Sequence, residues 1–366
     1  MLLVCPAGLA HSLERRRATG IGDKGDAVEA NDMTYTEQRR TGASLIKTSG
    51  TEQSPQFANY ACRIYGVCKI NRTTVCPGES DRMDTLRLAT PDDAASCGQI
   101  CYDAFCAIND EHGYPREFPS AEITVGLLRM LLEHPGFYGV VAERDGTIIG
   151  SNFLDERSAI VGVGPISVDP AVQNQGVGRR LMQDVMNRAA ARHVPGVRLC
   201  QAAYHRRSLC LYTTLGFRTR EPLSVMNGPP LRRSIAGYDV RAAELSDIEA
   251  CNAVCFDVHG FDRGGELKDA IDQKTATVVE REGRIAGYAT AIGFFAHSVA
   301  RSNQDLMALI AAAPEFTGPG FLLPTRNFEV FAWCLANGLR LVQPMTLMTT
   351  GLYNEPAGAY LVCVLY

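Results

Sequence analysis

Two stretches of the chain share one pattern. Leu86-Arg87-Leu88-Ala89-Thr90-Pro91-Asp92-Asp93 aligns with Val240-Arg241-Ala242-Ala243-Glu244-Leu245-Ser246-Asp247 at an offset of 154 residues. The match continues through Cys97 and Cys101 against Cys251 and Cys255, then Tyr102-Asp103 against Phe256-Asp257. Farther on, Glu143-Arg144-Asp145-Gly146-Thr147-Ile148-Ile149-Gly150 matches Glu280-Arg281-Glu282-Gly283-Arg284-Ile285-Ala286-Gly287 at an offset of 137. Two diverged copies of one fold are the economical explanation. The first copy carries extra residues between its opening helix and this hairpin. The copies run over 83–225 and 236–366, and residues 226–235, with Gly228-Pro229-Pro230, read as the linker.

A chain of 366 residues is long enough for two such domains. Residues 1–82 stand apart. Stretches such as Thr19–Asp32 and Thr34–Pro55 are rich in Gly, Thr, Glu, Gln and Lys with little apolar periodicity. They offer too little apolar surface to offset the entropy of ordering, so a disordered extension ahead of Met83 is expected. Cys62, Cys68 and Cys76 lie there without a neighbouring His or a pair of Cys-x-x-Cys knuckles, so no metal site is expected. The net charge of -4 gives no basic footprint for nucleic acid. The best apolar run, Leu306 to Ala313, is far too short to span a membrane, and the N-terminus lacks the basic start of a secretory signal. Thirteen cysteines spread along a long chain do not resemble a disulfide scaffold and point to free thiols in a cytoplasmic protein.

Each copy opens in the same way. Thr85–Ala89 alternates like a strand. Thr90-Pro91-Asp92-Asp93 starts a helix, with a capping Thr, Pro at the first helical position and acids in the first turn. Cys97 and Cys101, like Cys251 and Cys255, fall on one helical face. Two thiols without further ligands make an incomplete metal site, so small core residues are the simpler reading. A second helix over Ala121–Leu132 precedes a hairpin, Gly139–Glu143 and Thr147–Leu154, turned at Asp145-Gly146. The fold class is α/β with a mixed, mostly antiparallel sheet flanked by helices in each half.

The strongest chemical signal is Ile166-Ser167-Val168-Asp169-Pro170-Ala171-Val172-Gln173-Asn174-Gln175-Gly176-Val177-Gly178-Arg179-Arg180-Leu181-Met182. A strand ends near Val168 and a helix opens at Gln-x-x-Gly-x-Gly, with Leu181, Met182, Val185 and Met186 on one face. Such a junction suits a pyrophosphate. Glycines admit close backbone approach, the helix start offers unpaired N–H groups, and Arg179 and Arg180 add charge. A glycine-rich turn before any helix is the bland alternative. The dinucleotide fingerprint needs a glycine at position 181, which is Leu. The second signal is Leu211-Tyr212-Thr213-Thr214-Leu215-Gly216-Phe217. A strand over Arg198–Ala202 and a helix from about Arg206 precede it, and Gly216 stops that helix.

Pro-x-x-Gln-x-x-Gly-x-Gly followed by Leu-Tyr-x-x-Leu-Gly-Phe closely resembles the GNAT superfamily of N-acetyltransferases, over about residues 84–222. The second half resembles a degenerate member, so the chain looks like a tandem GNAT protein. The resemblance implies acetyl-CoA as cosubstrate and no metal. It implies that Gln173, Asn174, Gln175, Gly176, Val177 and Gly178, with Arg179, hold the pyrophosphate through backbone amides. It implies that the pantetheine arm pairs, strand-like, with Ile166, Ser167 and Val168. It gives Tyr212 the role of proton donor to the leaving thiolate. The family's Asn-x-x-Ala ahead of the Tyr is replaced by His205 and Ser208, and Ser208 remains able to hydrogen-bond the cofactor.

The strand Ile160–Val168 carries no acid, although family enzymes often place a base there. Asp155, Glu156 and His112 are the nearest candidates, beside a water relay. The segment Asn109–Pro119, read as a loop, accounts for most of the first copy's extra residues and by resemblance walls the acceptor pocket. The second half has no Gly-x-Gly after Gly287–Gly293, although Thr325–Arg340 echoes the closing unit Ala203–Arg218. His259, Phe261, Asp262, Arg263, Thr325, Arg326, Asn327 and Glu355 are its candidates for a repurposed pocket, and Trp333 reads as core. The leading expectation is acetyl transfer to a primary amine of a small molecule by direct attack in a ternary complex. The alternative is a non-catalytic acyl-CoA-binding or sensing protein.

Overall fold

The computed structural model describes residues 84–366; the expectations for residues 1–82 lie outside the described residues. The first copy runs β1 (Thr85–Leu88), a 3-10 turn at Pro91–Asp93, α1 (Ala94–His112), α2 (Ala121–Glu133), β2 (Phe137–Arg144), β3 (Thr147–Asp155), β4 (Ile160–Val163), β5 (Ser167–Val168), α3 (Val177–Ala191), β6 (Gly196–Ala202), α4 (Arg206–Thr214) and β7 (Arg218–Asn227). The second runs β8 (Asp239–Ala242), α5 (Ile248–His259), α6 (Gly264–Asp272), β9 (Thr277–Arg281), β10 (Arg284–Ala289), β11 (Ser298–Ala300), α7 (Asn303–Ala312), β12 (Phe321–Pro324), α8 (Phe328–Ala336), β13 (Arg340–Gly351) and β14 (Ala359–Leu361).

The repeat seen in the sequence is a repeat of contacts. Arg87 donates to both oxygens of Asp93 at 2.8 Å and to Glu143 at 2.7 Å. Arg241 donates to both oxygens of Asp247 at 2.7 and 2.9 Å and to Glu280 at 2.9 Å. In both copies the acid also accepts the backbone N–H three residues earlier, from Thr90 at 2.7 Å and Glu244 at 2.8 Å. One arginine thus ties the opening strand, the first helix start and the hairpin together. Its side chain is more than a third exposed in each copy, so it fixes register more than it adds stability. The paired cysteines Cys97, Cys101, Cys251 and Cys255 are fully buried among apolar side chains, as small core residues.

The sheets do not respect the boundary between the copies. One, of nine strands, has the order β1-β2-β3-β4-β6-β13-β7-β12, with β5 added on β3. The other has the order β14-β11-β10-β9-β8. Strand β13 of the second copy lies between β6 and β7 of the first, pairing Met345–Gly351 with Gly196–Ala202 on one side and Arg340–Thr349 with Arg218–Asn227 on the other. Strand β12 then pairs with β7. The long strand β13 of the second copy therefore completes the sheet of the first.

Two elements differ from the sequence reading. Asn109 to His112 belong to α1, which ends at Gly113 in a left-handed cap (φ 70°), so the connecting loop is only 114–120. The expected strand Ile160–Val168 is broken at Gly164-Pro165 into β4 and β5. Proline offers no N–H, and the bend carries β5 onto β3 while β4 stays against β6.

Because β13 fills a gap inside the first copy's sheet, the halves should unfold as one. Calorimetry of the whole chain is expected to show a single transition. A fragment 84–235, left without β13, should give no cooperative melt; a cooperative melt for that fragment would show that the exchange is dispensable.

Candidate active site

Strands β4 and β6 are parallel neighbours only from Ile160–Gly162 against Gly196–Arg198. Beyond that they separate. Residues 166–168 follow β3, pairing Ser167 with Ser151 and Val168 with Gly150, while β6 follows β13. The wedge between them opens into a cavity of about 370 Å³. Its walls include Ile166, Ser167 and Val168 on one side and Leu199, Gln201 and Ala202 on the other. Strand β5 is paired on its β3 edge, and its other edge faces this wedge.

One end of the cavity is the start of α3. Gln173, Asn174, Gly176, Val177, Gly178 and Arg179 all line it. Asn174 (φ 66°) and Gly176 (φ 88°) turn the chain into the helix, and a side chain at Gly176 would meet no atom within 4 Å. Gly176 is the N-cap and no side chain caps the helix. Among the described residues the first-turn amides therefore have no protein partner and face the cavity, as an anion site requires. Gln173 Nε2 donates to the Val168 carbonyl at 3.1 Å, which braces the turn, and Arg179 donates to Thr214 Oγ1 at 2.8 Å, which joins α3 to α4. Gln175 is not among the lining residues; its Oε1 accepts from Arg144 at 2.9 Å. Arg180 is also turned away, onto the Asp84 carbonyl at 2.6 Å.

The middle of the cavity is lined by Gln201, His205, Ser208 and Tyr212. Ser208 Oγ donates to Gln201 Oε1 at 2.8 Å, leaving Gln201 Nε2 buried without a partner among the described residues. His205 Nε2 is buried and unpartnered in the same way, and burial holds that imidazole neutral at about 4. Two orphaned polar atoms beside an uncapped helix fit a polar ligand such as the amide-bearing arm of coenzyme A. Tyr212 is buried, and desolvation alone raises its phenol, so it stays protonated.

The far end is built from both copies. Phe105, Ile108 and Phe118 come from the first, and Phe294, Phe295, Met345, Val364 and Leu365 from the second. Among them lies Glu117, 8% exposed. Its Oε1 accepts from Gln343 Nε2 at 2.7 Å, and Gln343 Oε1 accepts from the Tyr204 hydroxyl at 3.0 Å. Among the described residues no cation pairs with Glu117. Burial pushes its carboxyl up to about 7, against the opposing pull of the Gln343 hydrogen bond.

The acids considered from the sequence lie elsewhere. Asp155 is clamped by Arg157 at 2.6 Å, and Glu156 is held by Arg188 and Arg192 at 2.9 and 2.6 Å. His112 Nδ1 bonds the Ile108 carbonyl at 2.9 Å. None of the three lines the cavity. Glu117 stood within the acceptor-wall segment, but nothing in its local sequence marks it as buried. Gln343, Phe294, Phe295 and Met345 reach the site through the strand exchange, which no local pattern reveals.

The second copy's candidates are spent on structure. Arg326 binds Glu221 and Glu355, Thr325 bonds Ser224, and Asn327 caps α8. His259 and Arg263 line a void of about 10 Å³, too small for more than a single water. Phe261 and Arg263 pack against Tyr366, to whose carbonyl Arg263 donates. Trp333 packs against the core, under the guanidinium of Arg233.

A buried carboxyl raised from 4.5 to about 7 costs the folded state stability as pH climbs between those values. Glu117→Gln keeps the acceptor oxygen for Gln343 and removes that cost. Its advantage in unfolding free energy, read from denaturant melts at each pH, should therefore be small at pH 5, grow to pH 7 and level off above, reaching at most about 1–3 kcal/mol. A difference that is flat with pH would show that Glu117 ionises in the folded protein as readily as in the unfolded chain, with no upward shift.

Comparisons with known proteins agree with this geometry. A family model for an acetyltransferase (GNAT) domain matches residues 135–219, which span β4, the α3 loop and Tyr212. No curated protein matches the chain. Among solved structures it is similar to a presumed acetyltransferase from Pyrococcus horikoshii, at 16% identity and a TM-score of 0.60, covering 78% of this chain and 97% of that one. It is also similar to a GCN5-related N-acetyltransferase from Sphaerobacter thermophilus, at 16% identity and a TM-score of 0.50, covering 75% and 98%. The chain therefore carries an acetyltransferase domain of the GNAT superfamily, within a fold that uses the same plan twice.

Proposed function

We propose that the chain binds acetyl-CoA in the wedge between β5 and β6 and passes its acetyl group to a primary amine of a small molecule, with the second half shaping the acceptor end. The observation that carries this is one cavity that joins an uncapped helix start, a free strand edge, a protonated tyrosine and an apolar chamber. In this reading the amides of Gln173, Asn174, Gly176, Val177 and Gly178, with Arg179, surround the diphosphate, and Gln175 holds the loop from outside through Arg144. The free edge of Ile166, Ser167 and Val168 pairs with the pantetheine arm, and Ser208 stands beside it. Tyr212 donates a proton to the departing sulfur. Most of the rate comes from holding the amine against the thioester in a ternary complex. The cavity's volume is shared by the cofactor's arm and the acceptor, which favours a small amine.

The second half has no room for the same arrangement. Strand β14 pairs with β11, and Val362 just beyond it bridges to Leu322 of β12, so the chain itself fills the corresponding wedge. Helix α7 is capped by Ser302, which accepts from the Asp305 amide, and the buried Asp305 stands in its first turn. That helix start is occupied and acidic, opposite in both respects to α3. Nine free thiols among the described residues suit the reducing cytoplasm we infer for it.

A Gly178→Glu change places a carboxylate in the first turn of α3, where a Cβ meets only ordinary contacts at 3.7 and 3.8 Å. Calorimetric titration with acetyl-CoA should show affinity falling by about tenfold or more, with the melting temperature unchanged, because charge repulsion acts at the diphosphate. Unchanged affinity would remove the diphosphate from α3. Tyr212→Phe should lower kcat by about 10- to 100-fold with little change in acetyl-CoA affinity. Acetyl-CoA binding with no turnover of any amine would mark a non-catalytic acyl-CoA-binding protein instead.

A further inference from the structure

Glu117 is a buried carboxylate with one hydrogen bond and no counter-ion among the described residues, set in the wall of the chamber where the acceptor must lie. An ionised group in that position is expensive unless a cation comes to it. The surrounding wall is apolar: Phe105, Phe118, Phe294, Phe295, Met345 and Leu365 line the same chamber. The Phe105 and Phe118 rings meet edge-on at 5.7 Å, and Phe118 stacks on Phe295 at 6.4 Å, so the two copies form one aromatic surface. Gln343 from β13 fixes the carboxylate, and it is fixed in turn by Tyr204, whose single hydroxyl proton is shared between Gln343 Oε1 and Asn109 Oδ1, each at 3.0 Å. A rigidly held, unpaired acid in an apolar chamber is a receptor for one positive charge on an apolar body.

We propose, building on the acetyltransferase reading, that the acceptor is a primary monoamine with a compact apolar or aromatic body, and that Glu117 receives its ammonium group and removes the proton that blocks attack. The carboxylate takes one proton from the ammonium and leaves a neutral amine. The nitrogen lone pair then forms the C–N bond as the C–S bond breaks. Tyr212 gives its proton to the departing sulfur and regains one from the acylated nitrogen. Glu117 releases its proton to solvent as the product leaves, so one acetyl group moves and one proton is set free per turnover.

The other ionisable groups around the chamber do not compete for this role. Cys101 of α1 lies close to Glu117, and burial raises its thiol. Cys200 and His205 line the cavity, and burial holds them at about 12 and about 4. Burial raises the phenols of Tyr204 and Tyr212. Arg179 and Arg207 line the cavity, engaged with Thr214 and Glu111. From the second half the partner is the neutral Gln343. Glu117, pushed up to about 7, is the group placed to change charge near neutrality.

The test uses the full chain and separates binding from turnover. With coenzyme A present, 2-phenylethylamine and 3-methylbutylamine are titrated calorimetrically, beside 2-phenylethanol, spermidine and L-lysine. The two monoamines should bind, and the neutral alcohol and the two polar amines should bind about tenfold more weakly or not at all. Glu117→Gln should abolish monoamine binding and leave acetyl-CoA affinity intact. In turnover followed by chromatography of released coenzyme A, kcat/KM for 2-phenylethylamine should rise through about pH 7. The variant should lose that rise and about a hundredfold or more in rate. Preference for spermidine or lysine, or a Glu117→Gln protein that binds and acetylates monoamines normally, overturns the proposal. If acetyl-CoA does not bind, the acetyltransferase reading fails, and the amine titration still decides the role of Glu117 by itself.

Discussion

Strands β4 and β6 pair for three residues and then part, and the rest of the site depends on that parting. A sheet normally closes such a gap, because unpaired backbone groups in an interior are costly. Here each strand has somewhere else to go. The bend at Gly164-Pro165 sends β5 onto β3, and β13 accompanies β6 for its full length. Both strands are held by their outer edges, so the inner edge of β5 remains free and the wedge stays open. Helix α3 starts at its mouth, aligned by Gln173 on the Val168 carbonyl.

The strand that props this wedge open comes from the other copy, and it brings the apolar end of the cavity with it. Gln343 and Met345 lie on β13, and Phe294, Phe295, Val364 and Leu365 line the chamber from neighbouring segments. One copy therefore provides the glycine loop, the strand edge and the tyrosine, while the other provides half of the aromatic wall. The degenerate copy could lose its own cradle because its wedge is filled by β14 and its helix start is capped by Ser302.

The features legible in the sequence were those set by neighbours along the chain. The Thr90 and Glu244 helix starts, the Asp145-Gly146 turn, the Gln-x-x-Gly-x-Gly junction and the closing helix over Arg206–Thr214 each rest on residues a few positions apart. The repeat was legible because one arginine makes the same three-way contact in both copies. The exchange of β13 was not, since two strands of similar composition fit the gap beside β6 equally well by pattern. Glu117 was hidden for the same reason. Its hydrogen-bond partner is Gln343, and its neighbour Phe118 stacks on Phe295, both more than a hundred residues away in the chain. The extent of α1 was misjudged because Asn109-Asp110 reads as a turn until Gly113 is recognised as the left-handed cap.

In the proposed arrangement, two copies of one plan make a single acetyl-CoA site. Calorimetric titration of acetyl-CoA into the whole chain measures this directly. One equivalent per chain is the expected stoichiometry, with the open wedge of the first copy filled and that of the second already occupied by its own strand. Two equivalents would contradict it, because the second wedge would then have to release β14 to admit a cofactor.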